Sequence, residues 1–83
     1  MTNQPLHVRV NSPEKIIWEG EAESVSSQNT EGPFDILPMH SNFITIIDNR
    51  EIRIKTSGGT QIYKFNYSVI YAHSNQVKIY TNL

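Results

Sequence analysis

The sequence predicts an all-β fold, a small antiparallel β-sandwich or flattened barrel of about eight to ten short strands. Three observations carry that prediction. Apolar and polar residues alternate with a period of two along several stretches. Turn-forming residues recur at intervals of about ten residues, the spacing of hairpin-connected strands. Nowhere do apolar residues repeat at helical spacing for long enough to make a substantial helix.

The elements follow in order. Leu6, Val8 and Val10 share one face of a first strand, with His7 and Arg9 on the other. Asn11-Ser12-Pro13-Glu14 supplies a turn, and IIWEG, ending at Gly20, is a second strand rich in β-branched and aromatic residues. Gly20, set between Glu19 and Glu21, marks a bulge or the close approach of another group. Glu31-Gly32-Pro33 closes a turn, and Pro38 cannot donate to a central ladder. The FDIL between them is therefore a very short strand, followed by a stiff loop over residues 38–42 that presents His40. FITII at 43–47, EIRI at 51–54, SVIYA at 68–72 and VKIY at 77–80 read as further strands. Residues 48–50, 57–59 and 73–76 separate them, with Gly58-Gly59 the clearest hairpin signal.

At 83 residues the chain is expected to be one domain, spanning 1–83, near the lower size at which a single core suffices. Hydrophobic residues make up 37% and charged residues 18%, an ordinary globular balance. The net charge of −1 argues against a nucleic-acid binder, which needs a basic surface to displace counterions. Absence of cysteine excludes disulfides, thiolate metal sites and cysteine nucleophiles. The opening MTNQPLHVRV has neither the basic nor the apolar region of a signal peptide. No apolar run approaches the roughly 20 residues of a transmembrane helix.

Chemistry is thinly represented. Glu19, Glu21 and Glu23 alternate along one stretch and read as a solvated edge rather than a cation site. His7, His40 and His73 lie far apart, with no local partner of ligand type. Ser12, His40 and Asp35 can be drawn as a triad, but the G-x-S-x-G elbow is missing, and so is a P-loop. We therefore expect no catalytic, metal or cofactor residue. Arg50, Arg53 and Lys55 form a short basic stripe. Tyr63, Tyr67, Tyr71 and Tyr80 are read as flanking the core, ring inward and hydroxyl wet.

The run EGPFDILPMHSNFIT, from Glu31 to Thr45, resembles the E-G-x-x-G-I-L-P-G-H-A-P-L-x-T segment of the N-terminal β-sandwich domain of the F-type ATP synthase epsilon subunit, called delta in mitochondria. Leu6–Glu14 resembles that family's opening strand and S-P-E turn, and IIWEG its aromatic-x-Gly signal. EIRI and NQVKIY, at 75–80, fall at matching intervals, so the resemblance covers almost the whole chain. Met39 stands where the family has glycine, Ser41-Asn42 where it has Ala-Pro, and Tyr67-Ser68 where it has a glycine pair. Pro33 occupies a position that is acidic or variable there.

The resemblance implies a non-catalytic central-stalk subunit of a rotary proton-translocating ATP synthase, coupling c-ring rotation to the gamma subunit. Carried over by motif, Ser12, His40 and Ser41 are expected to meet gamma, and Glu31, Gly32 and Pro33 the polar loops of the c-ring. Family members continue into a C-terminal helical hairpin. Ending at Leu83, this chain is expected to lack it, and to sit peripherally on the cytoplasmic face of the bacterial inner membrane. The alternatives are a free-standing β-sandwich binding module for a peptide or sugar and, more weakly, a small hydrolase using His40. A contiguous apolar or tyrosine patch on one flank would favour a protein partner over a small ligand.

Overall fold

The computed structural model describes residues 4–82. It contains nine strands: β1 (Leu6–Asn11), β2 (Ile16–Ala22), β3 (Ser24–Asn29), β4 (Gly32–Ile36), β5 (Phe43–Ile47), β6 (Glu51–Thr56), β7 (Gly59–Lys64), β8 (Ser68–His73) and β9 (Gln76–Thr81). They form a five-stranded sheet A, in the order β2-β1-β9-β8-β5, and a four-stranded sheet B, in the order β4-β3-β6-β7. The strand count falls within the predicted range, and no described residue is helical.

Every pairing is antiparallel except β1 with β9, which is parallel. The exception follows from the path of the chain. Each connection reverses direction, so all odd-numbered strands run the same way, and β1 and β9 happen to be neighbours. The same rule sorts the connections to two poles of the sandwich. The β1–β2, β3–β4, β5–β6 and β7–β8 connections share one pole; the β2–β3, β4–β5, β6–β7 and β8–β9 connections share the other. At each pole a hydrogen bond joins two neighbouring connections. The Asn49 amide donates to the Asn66 carbonyl at the first, and the Met39 amide donates to Asn75 Oδ1 at the second.

The core lies between the sheets. Val8 and Val10 of β1, Ile70 of β8 and Val77 and Ile79 of β9 face Val25 of β3, Ile36 of β4 and Ile52 and Ile54 of β6, and all of these are fully buried. Period-two alternation placed these side chains on the inner faces, and burying an aliphatic side chain of this size stabilises by about 1.5–3 kcal/mol. Trp18, Phe34, Phe43 and Tyr63 pack at the margins. Tyr63 stacks on Phe65, with ring centroids 5.7 Å apart and planes 13° from parallel. Partial burial raises the Tyr63 phenol above the usual tyrosine range.

Local chemistry explains the turns. Ser12 Oγ accepts from the amides of Glu14 and Lys15 and donates to the Lys15 carbonyl, closing the β1–β2 connection. Ser74 and Asn75 both take positive φ, 50° and 60°, giving the two-residue turn with the twist that hairpins favour. In the β6–β7 hairpin the positive φ falls on Gly59, at 143°, rather than on the turn residues Ser57 and Gly58. The Thr56 hydroxyl accepts from the Gly58 amide and donates to the Gly59 carbonyl.

Three expectations change in detail. Gly20 carries no bulge; the register shift lies instead between Val10 and Asn11. Its close approach is to Trp18, whose Cζ2 would stand 2.9 Å from a Cβ at position 20. Glu23 is not aligned with Glu19 and Glu21, because β2 ends at Ala22 and Glu23 pairs with Lys55 at 3.9 Å. Gly32 and Pro33 lie inside β4 rather than in the preceding turn. Pro33 is tolerated there because β4 is an edge strand of sheet B.

Candidate functional site

The β4–β5 loop carries His40. Its backbone is held at two adjacent residues: the His40 amide donates to the Leu37 carbonyl, and the Met39 amide to Asn75 Oδ1. Met39 is exposed and adopts φ 67°, a left-handed conformation that glycine reaches most readily, so it fills the geometric role of the glycine in the resembling motif. His40 Nδ1–H donates to the Ser41 carbonyl at 2.7 Å, and the ring meets the edge of Phe43 at a centroid distance of 5.6 Å. Among the described residues its ring is hydrogen-bonded to no hydroxyl or carboxylate.

The predicted site residues fall at two separate places. Ser12 lies in the β1–β2 turn, at the same pole as Glu31 in the β3–β4 turn. Gly32 and Pro33 begin β4 beside it. His40 and Ser41 lie at the opposite pole, so the three residues predicted for one contact are separated by the length of a strand. Ser12 is also occupied by its own turn. Glu31 is exposed, its amide accepted by Asn29 Oδ1, while Asn29 Nδ2 donates to Thr45 of β5 in sheet A.

What connects the two poles is the outer face of sheet A. Its register rows run across all five strands: Glu19, Arg9, Lys78, Tyr71 and Ile44 in one, and Ile16, Asn11, Tyr80, Val69 and Ile46 in the next. Ile44 is 67% exposed, Ile46 52% and Tyr80 48%. With Tyr71 and Val69 they make a contiguous apolar patch over β5, β8 and β9. Tyr71 stacks flat on His73, centroids 6.2 Å apart, which fixes its ring as part of the surface. A concavity of about 700 Å³ follows the β5 edge, lined by Ile44, Ile46, Tyr67 and Val69 together with the charged Asp48 and Arg50 and the polar Asn29, Thr30 and Thr45. Monomeric proteins seldom leave neighbouring apolar side chains of this size uncovered.

The charges on this face are graded. Glu19 and Glu21 lie on the edge strand β2, and His7, Arg9 and Lys78 on the middle strands. His7 Nε2–H donates to Glu19 at 2.6 Å, and Arg9 Nη2 lies 3.5 Å from the same carboxylate. The hydrogen bond from His7, reinforced by the Arg9 charge, holds the Glu19 carboxyl below the usual carboxylate range. Sheet B differs: apart from Ile62 its outer face is mainly polar, with Arg53 and Glu51 paired at 3.0 Å and Ser26 donating to Asp35 at 2.6 Å. Among the described residues, no three histidine or acidic side chains assemble into a metal-binding group.

Sequence reading identifies FITII as a strand but does not assign Ile44 and Ile46 to its outer face, and so misses the apolar patch. The strand's alternation carried the signal. Thr45 shares the inner face with Phe43 and Ile47, which leaves the two isoleucines pointing outward. The tyrosines divide likewise: Tyr63 flanks the core as expected, whereas Tyr67, Tyr71 and Tyr80 are exposed.

The model of the "ATP synthase, Delta/Epsilon chain, beta-sandwich domain" family matches residues 5–82. An ATP synthase epsilon chain of Gloeothece citriformis is 30% identical over 77 residues, 93% of this chain and 56% of that protein. The corresponding chain of a Nostoc species is 40% identical over 52 residues, 63% of this chain and 38% of that protein. The chain therefore spans about half the length, or less, of these relatives. In fold it is similar to a chain in the cryo-EM structure of the Euglena gracilis mitochondrial ATP synthase, with a TM-score of 0.84 and 14% identity over 93% of this chain and 50% of that one.

Proposed function

This chain belongs to the delta/epsilon β-sandwich family of ATP synthase chains, and on that premise we propose that it is a non-catalytic subunit of the rotary central stalk, passing c-ring rotation to the gamma subunit. The observation that carries this reading is the apolar outer face of sheet A. Ile44, Ile46, Val69, Tyr71 and Tyr80 form a surface suited to a protein rather than to a small solute. The similar Euglena chain was solved in an assembly with F1 and a c-ring, which fits such a partner.

The placement of the motif residues gives this reading a shape. Ser12 lies at one pole and His40 and Ser41 at the other, so contact with gamma runs along the sheet A face from end to end. The Glu31, Gly32 and Pro33 corner occupies one pole and is the part that meets the c-ring loops. A body gripped along one face and resting on one end transmits torque if it is stiff, and a packed two-sheet core deforms little. No helix among the described residues is long and apolar enough to cross a membrane. In this reading the chain attaches peripherally, through its partners, to the cytoplasmic face of a bacterial inner membrane.

His40 fits a contact residue better than an acid–base catalyst. Its Nδ1 proton is committed to a main-chain carbonyl, and no nucleophile is bonded to the ring among the described residues. The reading requires neither cofactor nor metal. It is tested by co-expressing the chain with the gamma subunit of its own organism. A stable one-to-one complex on gel filtration, weakened by Ile44→Ser with Tyr71→Ser, is the expected result. A chain that stays monomeric beside folded gamma would overturn it.

A further inference from the structure

Lys78 stands alone on the face described above. It is half-buried in the middle of sheet A, with Arg9 beside it on β1 and Tyr71 beside it on β8. Its same-strand neighbours on that face are Gln76 and Tyr80. The ladder therefore places no carboxylate next to it, and Lys78 forms no ion pair among the described residues. Arg9, the cation directly opposite, is already drawn to Glu19 at 3.5 Å. Like charges at directly opposed positions are unfavourable unless something neutralises them. The acids on the outer face of β2, Glu19 and Glu21, lie two strands away from β9.

From this arrangement, and resting on the stalk reading above, we propose that the protein partner covering sheet A seats an acidic side chain over Lys78, with apolar contacts over β5 and β8 on one side and Arg9 on the other. Charge complementarity is the reason for naming that chemistry. An apolar surface laid over Ile44, Val69, Tyr71 and Tyr80 would strip water from the Lys78 ammonium. A desolvated cation without a counter-charge opposes binding, whereas a carboxylate within reach fixes the register of the two surfaces. Lys78 is then the residue that selects a partner, and the apolar ring supplies most of the affinity.

The experiment measures affinity for the gamma subunit of the same organism by titration calorimetry, at two salt concentrations. Lys78→Met keeps the apolar stem and removes the charge. It is expected to weaken binding about tenfold or more and to flatten the salt dependence. Lys78→Arg is expected to bind as the unaltered chain does, and Lys64→Glu, on sheet B, to change affinity by no more than about twofold. Unchanged melting temperatures show that the variants fold. If the unaltered chain binds gamma and Lys78→Met binds equally well, this inference fails while the stalk reading stands. An equal loss in Lys64→Glu would also overturn it, by showing a general charge effect. If the unaltered chain does not bind gamma, both fail.

Discussion

The amide of Met39 donates to Oδ1 of Asn75 at 2.6 Å, joining the β4–β5 loop to the β8–β9 turn. One side chain thus does two jobs. Asn75 tolerates the left-handed φ of 60° that the tight turn needs, and its carboxamide anchors the loop that carries His40.

Separating those jobs gives the first prediction. Asn75→Gly retains the turn and removes the anchor, at a cost of about 0.5–1.5 kcal/mol, while Asn75→Asp retains both. Hydrogen exchange at the Met39 and His40 amides is expected to accelerate in Asn75→Gly alone. Equal protection in all three proteins would contradict the anchoring role.

Gly20 is required by Trp18. A Cβ at position 20 would lie 2.9 Å from Trp18 Cζ2, so the indole has to move off its margin of the core. Gly20→Ala is expected to destabilise by about 1–2 kcal/mol in urea unfolding, the overpacking penalty less the gain from a stiffer unfolded chain. Trp18 is the sole tryptophan, so its emission reports the displacement directly. Unaltered emission and stability would refute the steric account.

Ser68 is buried, and its hydroxyl lacks a hydrogen-bond partner among the described residues. Removing it should help. Ser68→Ala is expected to stabilise by about 1 kcal/mol, raising the melting temperature by roughly 4–8 °C for a domain of this size. Thr81→Val is the counterpart: its hydroxyl donates to the Tyr67 carbonyl at 3.2 Å, and its loss should lower the melting temperature. A fall in both variants would show that Ser68 finds a partner in solution.

The His7–Glu19 contact sets a pH dependence. The carboxyl of Glu19 is held below its ordinary range by the hydrogen bond from His7. A depressed carboxylate contributes stability that is fully present above its unfolded value, about 4.3, and is lost as pH falls through the lower folded value. The Glu19 carboxyl resonance should therefore titrate below an ordinary glutamate, and His7→Ala should move its midpoint upward. An unmoved midpoint would show that His7 is not the cause.

Much of the fold was legible because period-two alternation is a direct readout of which strand face is buried. Leu6, Val8 and Val10, or Ile52 and Ile54, announce their burial by alternating with charged residues. The parallel β1–β9 pair was not legible, since it depends on which strands become neighbours and local pattern does not encode that. The loop around His40 was legible from Pro33 and Pro38, but its anchor, Asn75, lies 36 residues from Met39 and belongs to a separate turn. The apolar patch was half legible. Ile44 and Ile46 were visible as apolar residues, but they join Tyr71 and Tyr80 only once β5, β8 and β9 lie side by side. Motif residues report positions and not distances, so the strand length that separates Ser12 from His40 is invisible in the sequence.

Which sheet faces the partner is the point on which the whole account turns, and hydroxyl-radical footprinting of the chain with and without gamma measures it side chain by side chain. Tyr71, Tyr80 and Ile44, on sheet A, should become protected in the complex, while Ile62, 56% exposed on sheet B, should react as before. Protection of Ile62 with Tyr71 and Tyr80 left reactive would place the partner on the wrong face and contradict the account.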